Sequence, residues 1–337
     1  MKAVGYTETG PITRADALID FEADMPTATG RDLLVRVDAI SVNPVDTKIR
    51  QRRAPTGGTP NILGWDAAGE VVGLGEAVTN FSVGDKVYYA GAVNRPGTNS
   101  EFHLVDERIV GKAPSSIPTP AAAAMPLTAL TAHEMLFDRL RIDSPVPGGK
   151  NTLLVIGGAG GVGSMTMGLA RALSDVTIIA TASRPETKAW VKDLGAHHVV
   201  SHADPLGPQI EALGVGSIDF VYSTTHSNVY SAEVAGIMTP QGRYGLIDDP
   251  ETFDIMPFKS KAISVHWEFM FTRPMFETAD IGRQGEILNE VAALTEAGRL
   301  KSTVAESFGT INAANLIKAH ALLESGTSKG KIVLEGF

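Results

Sequence analysis

The sequence predicts an α/β protein in which a doubly wound parallel sheet follows a β-rich segment. Three observations lead to this prediction. Short apolar runs separated by turn residues fill the first third of the chain, and apolar strands alternate with helical runs in its middle. A glycine-rich turn follows the first strand of that alternating part. With 337 residues, the chain is long enough for two domains.

The first third predicts a small barrel or sandwich, because its strands are short and no helical pattern lies between them. We expect strands over 33–40, 67–73, 86–90 and 100–105. A proline-rich connector over 114–120 ends this part, and helix-forming runs follow over 121–124 and 127–140.

The middle of the chain predicts a parallel sheet, because near-continuous apolar strands alternate with amphipathic helices. The expected strands lie at 152–156, 176–182, 198–200, 220–223 and 243–247. The expected helices lie at 163–173, 186–194 and 230–238. An extended apolar segment over 261–271, helices over 281–297 and 313–325 and a strand over 331–334 complete the chain.

Composition excludes several classes of protein. The net charge of −9 shows no excess of basic residues that would favour binding to nucleic acid or to an anionic membrane. The absence of cysteine removes disulfides, thiolate nucleophiles and every zinc site that requires cysteine. No signal peptide is recognisable, and no apolar run approaches the ~20 residues of a membrane span. We therefore expect a cytoplasmic protein.

The glycine-rich turn predicts a dinucleotide site of the Rossmann type. Gly158, Gly160 and Gly163 have the spacing G-x-G-x-x-G, and they lie between an apolar strand and a helical run. The first glycine permits the tight turn, the second admits the pyrophosphate, and the third lets the helix pack against the strand. The expected cofactor-binding residues of this turn are Gly158, Ala159, Gly160, Gly161, Val162 and Gly163.

The end of the next strand indicates NADP rather than NAD. An acidic residue ~20 positions after the glycine turn would bind the ribose hydroxyls of NAD. Here Ser183 and Arg184 follow that strand, and the first acid, Glu186, comes later. A guanidinium suits a phosphate, and Lys188 lies one helical turn further on. If Arg184 is only a solvated loop charge, the preference stays open.

Several segments together resemble the medium-chain dehydrogenase/reductase superfamily, specifically its quinone-oxidoreductase branch and the zinc-type alcohol dehydrogenase-like proteins. They are residues 41–46, 64–71, 83–87, 126–132 and 330–334, together with the glycine turn. The resemblance implies a chaperonin-10-like β-barrel catalytic domain over 1–125 and 268–337. It also implies an NADP-binding Rossmann domain over 126–267, inserted into the first, with the active site in the cleft.

The resemblance also bears on metal. Zinc-dependent relatives have a ligating cysteine near position 43 and a histidine in a Gly-His-Glu element, and Trp65 replaces that histidine here. Tryptophan cannot bind zinc and asparagine is a poor ligand, so we expect no metal site. His198 and His202 lie on a predicted strand and its exit without an acid at ligand spacing, and we do not expect them to bind a metal.

The resemblance implies three residues for the catalytic site. Asn43 matches the asparagine that faces the nicotinamide, and its amide would bond the cofactor ribose or the substrate oxygen. Lys48 stands where quinone oxidoreductases carry a tyrosine, as a cationic donor or as a solvated side chain. Trp65 is a wall of the pocket or a residue of the core.

Three further residues are implied for the cofactor. Thr131 matches a threonine that packs on the nicotinamide, and Thr128 assists it. Lys331 matches a lysine near the cofactor phosphates. No nucleophile or proton-relay triad is evident, so we expect hydride transfer to rely on positioning, with a proton from water.

These expectations combine into a function. Without a metal to polarise a simple carbonyl, reduction of a quinone or an α,β-unsaturated carbonyl by NADPH is the favoured reaction. Two alternatives stay open: an alcohol dehydrogenase-type ketone or aldehyde reductase, and a non-catalytic nucleotide-binding sensor or structural protein. The aromatic segment 266–271 matches the sheet edge through which relatives dimerise, so we expect a homodimer, with buried core as the alternative role of this segment.

Overall fold

The computed structural model describes residues 1–56 and 58–337. Contacts divide the chain into two compact units. Unit 1 comprises Met1–Leu130 and Phe271–Phe337, and unit 2 comprises Thr131–Met270. These divisions fall a few residues after the boundaries expected at 125 and 267.

Among the residues that the structure describes, unit 1 contains two sheets whose strands are mostly antiparallel. The smaller sheet has the order β2-β1-β4, and the larger has the order β15-β16-β3-β5-β6-β8, with β7 also paired to β3. The strands are β1 (Lys2–Tyr6), β2 (Ile19–Glu22), β3 (Asp32–Val42), β4 (Asn61–Ile62), β5 (Ala67–Leu74), β6 (Lys86–Tyr89), β7 (Phe102–Asp106), β8 (Val110–Lys112), β15 (Val304–Ser307) and β16 (Lys331–Glu335).

The long strand β3 organises this unit. It pairs with β7 through its first five residues and with β16 through its last four. It also pairs with β5 from Leu33 to Ile40, with register shifts between Leu34 and Val35 and between Val37 and Ala39. Such irregularities bend a strand and increase its twist, which curls a sheet towards a barrel. The chain's last strand, β16, therefore lies beside β3, which comes from the first part of the chain, in one sheet.

Short helices accompany these sheets. They are α1 (Pro44–Arg52), α2 (Thr119–Ala123), α3 (Pro126–His133), α8 (Thr272–Phe276), α9 (Arg283–Glu296) and α10 (Ala313–Glu324), and α3 crosses the division between the units. The helix predicted over 127–140 consists of α3 followed by a π-helical turn over Glu134–Arg139.

Unit 2 contains a parallel sheet of order β11-β10-β9-β12-β13-β14 in its described residues. Numbered within the unit, this is the order 3-2-1-4-5-6 of a doubly wound dinucleotide fold. The strands are β9 (Thr152–Ile156), β10 (Thr177–Thr181), β11 (His198–Val200), β12 (Ile218–Ser223), β13 (Met238–Leu246) and β14 (Ser264–Trp267). The helices are α4 (Gly161–Leu173), α5 (Pro185–Asp193), α6 (Leu206–Ala212) and α7 (Ser227–Ile237).

The predicted fold class is confirmed in this unit. The central strands β9 and β12 are completely buried, which explains their near-continuous apolar sequences. The sequence did not predict α1, α6 or α8, which are short, and the segment expected to be extended over 261–271 contains only the short strand β14. Among the described residues, no helix combines the length and apolar character needed to cross a bilayer.

Candidate active-site residues

In unit 1, the end of β3 brings together three polar side chains. Strand β16 pairs with β3 so that Ile332 faces Val42, which places Lys331 beside Asn43. On the other side, the Ser41 amide donates to the carbonyl of Asp66, just before β5. Lys331 and Asp66 therefore flank the end of β3 because both are fixed by its two neighbouring strands.

The three side chains form a closed hydrogen-bond network. The Asn43 side-chain amide donates to Asp66 Oδ2 at 2.8 Å and to the Ser41 carbonyl at 3.3 Å. The Lys331 ammonium donates to Asp66 Oδ2 at 3.1 Å, to the Val42 carbonyl at 3.1 Å and to Asn43 Oδ1. Both amide hydrogens of Asn43 and all three ammonium hydrogens of Lys331 are thereby used.

This network changes the expectations for two residues. Lys331 is 3% exposed, and its ammonium is bonded within unit 1 instead of being presented to a phosphate. Asn43 is 1% exposed, and because its two hydrogens are engaged it has only an Oδ1 lone pair left for a ribose or substrate. The arrangement makes both residues part of the buried frame at the end of β3.

Two buried carboxyl groups accompany the network. Asp66 Oδ1 accepts from the Leu127 amide at 2.8 Å, and burial raises the pKa of Asp66 against the opposing effects of Lys331 and Asn43. Asp46, at the third position of α1, accepts from the Asn43 amide at 2.8 Å. Burial raises the pKa of Asp46 to about 7. Neither Asp46 nor Asp66 was among the residues expected for the site, and their places in the family-like segments 41–46 and 64–71 were the available signal for them.

The other expected residues of unit 1 differ in exposure. Trp65 is 2% exposed, donates from its indole nitrogen to the Ala92 carbonyl at 3.1 Å and meets Phe271 edge-on, so it lies in the core. Lys48 is half-buried on α1. Thr128 is buried, and its hydroxyl donates to the Met125 carbonyl at 3.1 Å.

In unit 2, the glycine turn has the geometry of a phosphate-binding loop. The amides of Gly157 and Gly158 donate to Thr181 at the end of β10, which fixes the turn against the neighbouring strand. A Cβ atom on Gly163 would lie 2.4 Å from the Gly157 carbonyl oxygen, so only glycine fits where α4 packs under the turn. The residues present therefore fit a dinucleotide.

The start of α4 supplies the hydrogen-bond donors. Gly160 is the N-cap residue, and no side chain caps the helix. The first amides of the helix and the positive end of its dipole then remain for a phosphate. Ala159, Gly161 and Val162 lie in this turn and are partly exposed, as a backbone binding loop requires.

The end of β10 places the residues expected to select the nucleotide. Ser183 is half-buried, and Arg184 is the N-cap residue of α5, with its Nε 3.0 Å from Glu186. Lys188 is exposed on the first turns of the same helix.

Thr131, at the start of unit 2, is buried, and its carbonyl accepts from the Tyr222 hydroxyl at 3.4 Å.

The residues near Asn43 do not fit a zinc ion. The Asn43 amide oxygen accepts from Lys331 and is a weak ligand for zinc, and the Lys331 ammonium beside Asp66 would repel a dication. Across residues 1–56 and 58–337, histidine, aspartate and glutamate side chains form no group of three that could hold a metal ion.

Comparison with known proteins places this geometry in a family. The model for the alcohol dehydrogenase GroES-like domain matches residues 29–115, and the model for zinc-binding dehydrogenase matches residues 194–334. A zinc-type alcohol dehydrogenase-like protein of Staphylococcus aureus is 37% identical over 99% of both chains. A chloroplastic quinone-oxidoreductase homolog of Spinacia oleracea is 31% identical over 71% of this chain and 75% of its own.

A solved structure extends the likeness to the whole chain. A Rhizobium etli CFN 42 protein, named for zinc-dependent alcohol dehydrogenase, is 55% identical, with a TM-score of 0.99 over 100% of this chain and 98% of its own. The doubly wound sheet and its glycine turn are those of a dinucleotide-binding domain, and together with these relatives they support an oxidoreductase that uses a nicotinamide dinucleotide. The chain belongs to the medium-chain dehydrogenase/reductase superfamily, in its quinone-oxidoreductase-like branch.

Proposed function

We propose that the protein is an NADPH-dependent reductase of quinones and α,β-unsaturated carbonyl compounds that works without a metal ion. One observation carries this proposal. The position near Asn43, where zinc-dependent relatives hold their ion, is filled by the buried network of Asn43, Asp66 and Lys331. This lining supports a reaction that proceeds without a metal Lewis acid.

Conjugated acceptors suit such a site. Bound NADPH would supply the hydride for this chemistry. With an α,β-unsaturated carbonyl, hydride at the β-carbon would give an enolate, and a proton from water at the α-carbon would restore the carbonyl; with a quinone, the hydride and one proton would give the hydroquinone. A simple ketone cannot spread the charge in this way and depends more strongly on a metal.

The chain's own residues position the reactants. The amides at the start of α4 bind the pyrophosphate, and Gly163 keeps that helix close to the turn. Lys48, half-buried on α1, is the proposed cationic donor to the carbonyl oxygen. The network of Asn43, Asp66 and Lys331 holds the end of β3, from which α1 starts, in one conformation.

Selection of NADPH is proposed for Ser183 and Arg184. No carboxylate occupies the end of β10, where NAD enzymes bind the ribose hydroxyls, and a guanidinium follows the strand instead. We expect Arg184→Ala to weaken NADPH binding by about 10- to 100-fold, the usual effect of one charged hydrogen bond, and to leave NADH binding unchanged. The matched control is Lys192→Ala, which removes an exposed cation further along α5.

The substrate class is tested by following NADPH oxidation with a quinone, an enone and a simple ketone. We expect turnover of the first two, unchanged by a chelator. Ketone turnover that a chelator abolishes and zinc restores would contradict the proposal. Tight NADPH binding without turnover on any acceptor would instead favour a nucleotide-binding sensor.

We also propose a homodimer formed through β14. This strand lies at the edge of the parallel sheet in the described residues, and its Trp267 side chain is 55% exposed. Large exposed aromatic side chains at a sheet edge favour association. Light scattering should give twice the chain mass, and Trp267→Glu should give monomers. The exposed residue Val83 provides the control variant Val83→Glu, which should leave the dimer intact.

A further inference from the structure

Two histidines join Arg184 at the carboxyl edge of the parallel sheet in unit 2. Arg184 follows β10, His202 follows β11, and His226 follows β12 as the N-cap residue of α7. The Ala182 amide donates to the Val200 carbonyl at 3.0 Å, so the chain leaves β10 and β11 side by side. Arg184 and His202 therefore begin from adjacent strand ends.

Helix α7 brings His226 to the same place. The Tyr230 hydroxyl donates to the His202 carbonyl at 3.4 Å, and the Tyr230 amide donates to the His226 carbonyl at 3.3 Å. Tyr230 is thus one helical turn after His226, on the side of α7 that meets the His202 loop. One ring nitrogen of His226 is bonded to the Thr225 hydroxyl at 2.7 Å, which restrains the imidazole.

Both Arg184 and His226 repel the charged form of His202. The pKa of His202 is lowered by partial desolvation, then by repulsion from His226 and from Arg184. Both imidazoles are exposed to solvent. Nearby carboxylates include those of Glu186, paired with Arg184, of Asp204, two residues after His202, and of Asp248, which accepts from the Ser227 amide at 2.9 Å. An anion bound between Arg184 and the two imidazoles would therefore be attracted by all three side chains when the imidazoles are charged.

We propose that His202 and His226 complete the 2′-phosphate site with Arg184, and that they bind this phosphate as imidazolium ions. This inference rests on the proposed preference for NADPH. Binding of the phosphate then takes up protons, because a neighbouring dianion favours the charged form of an imidazole. Affinity for the phosphorylated cofactor rises as the pH falls, whereas affinity for the cofactor without the phosphate does not.

The experiment measures dissociation constants of NADP⁺ and NAD⁺ by calorimetry across the histidine range, from about pH 5.5 to pH 8.5. We expect NADP⁺ affinity to fall as the pH rises, by up to about tenfold per pH unit for each histidine that titrates. NAD⁺ affinity should be nearly constant. Titrations in two buffers of different ionisation enthalpy should show net proton uptake with NADP⁺ only.

The variants His202→Gln and His226→Asn test the assignment. Asparagine suits position 226 because it tolerates the left-handed backbone that His226 adopts there, with φ of 52°. The double variant should lose proton uptake and the pH slope for NADP⁺ and leave NAD⁺ binding unchanged. His198→Gln, at the opposite end of β11, is the matched control and should behave as the wild type.

Two failures are distinguishable. If the wild type binds NADP⁺ no more tightly than NAD⁺ at any pH, the proposed cofactor preference is wrong. If it prefers NADP⁺ but the double variant keeps the same pH slope and proton uptake, the preference stands and the histidine assignment is overturned.

Discussion

The ammonium group of Lys331 lies 3.1 Å from the carboxylate of Asp66, with both side chains almost completely buried. A buried pair of this kind contributes little net stability, because desolvation offsets the attraction. Removing one partner is costly, since it leaves the other charge buried without compensation.

Lys331→Met should therefore destabilise the protein by about 3–5 kcal/mol in denaturant-induced unfolding. The double variant Lys331→Met with Asp66→Asn should recover part of this loss, because no charge is then left in the core. Lys318→Met, on the exposed face of α10, is the control and should change stability by less than about 0.5 kcal/mol. A single variant as stable as the wild type would mean that the pair is not buried as described.

Asp46 should make stability depend on pH in an unusual direction. Its folded pKa, about 7, lies above the unfolded value, so the folded state binds the proton more tightly. Stability should fall as the pH rises from about 4 to about 7. Asp46→Asn should remove this fall, and the variant should gain on the wild type over that range by at most about 4 kcal/mol. A stability difference that does not change with pH would contradict the raised pKa.

His320 predicts a loss of stability in acid. The residue is 0% exposed, and burial followed by repulsion from Arg50 lowers its pKa to about 3. The unfolded chain therefore binds the proton more tightly, and stability declines as the pH falls from about 6.5 towards 3. His320→Leu should unfold less readily in acid, by up to about 5 kcal/mol, whereas His198→Gln should follow the wild type. Parallel pH profiles for both variants would contradict this account.

Alanine variants of two glycines in the phosphate-binding turn should distinguish an effect on stability from an effect on cofactor binding. A Cβ on Gly163 would collide with Gly157 and Gly158 backbone atoms, so Gly163→Ala should lower stability by about 1–3 kcal/mol. A Cβ on Gly160 would lie 3.5 Å from the Gly157 carbonyl, an ordinary contact. Gly160→Ala should therefore keep its stability but weaken cofactor binding, because the second glycine admits the pyrophosphate. Equal losses of stability in the two variants would contradict this separation.

Local sequence patterns were sufficient for much of unit 2. Strands such as β9 and β12 are continuous apolar runs, and a glycine turn has a fixed spacing, so both can be recognised without their neighbours. Short elements such as α6 were missed because seven residues carry too little periodicity.

Such local patterns could not predict which side chains contact one another. Lys331 was expected near phosphates, but its place is set by the register of β16 on β3, and its partner Asp66 is 265 residues away. The same holds for His202 and His226, which are scattered in the sequence and meet only through Tyr230 and the order of the strands.

The pairing of β16 with β3 also sets an order in time during synthesis. The ribosome adds ~5–20 residues per second, so Lys331 follows Asp66 by an interval on the order of tens of seconds. All six strands of unit 2 emerge within that interval and can pair with one another. Until β16 emerges, β3 lacks one neighbour, and the carboxylate of Asp66 lacks its cation. A nascent chain stalled before Lys331 should therefore protect unit 2 from proteolysis and leave unit 1 open to it.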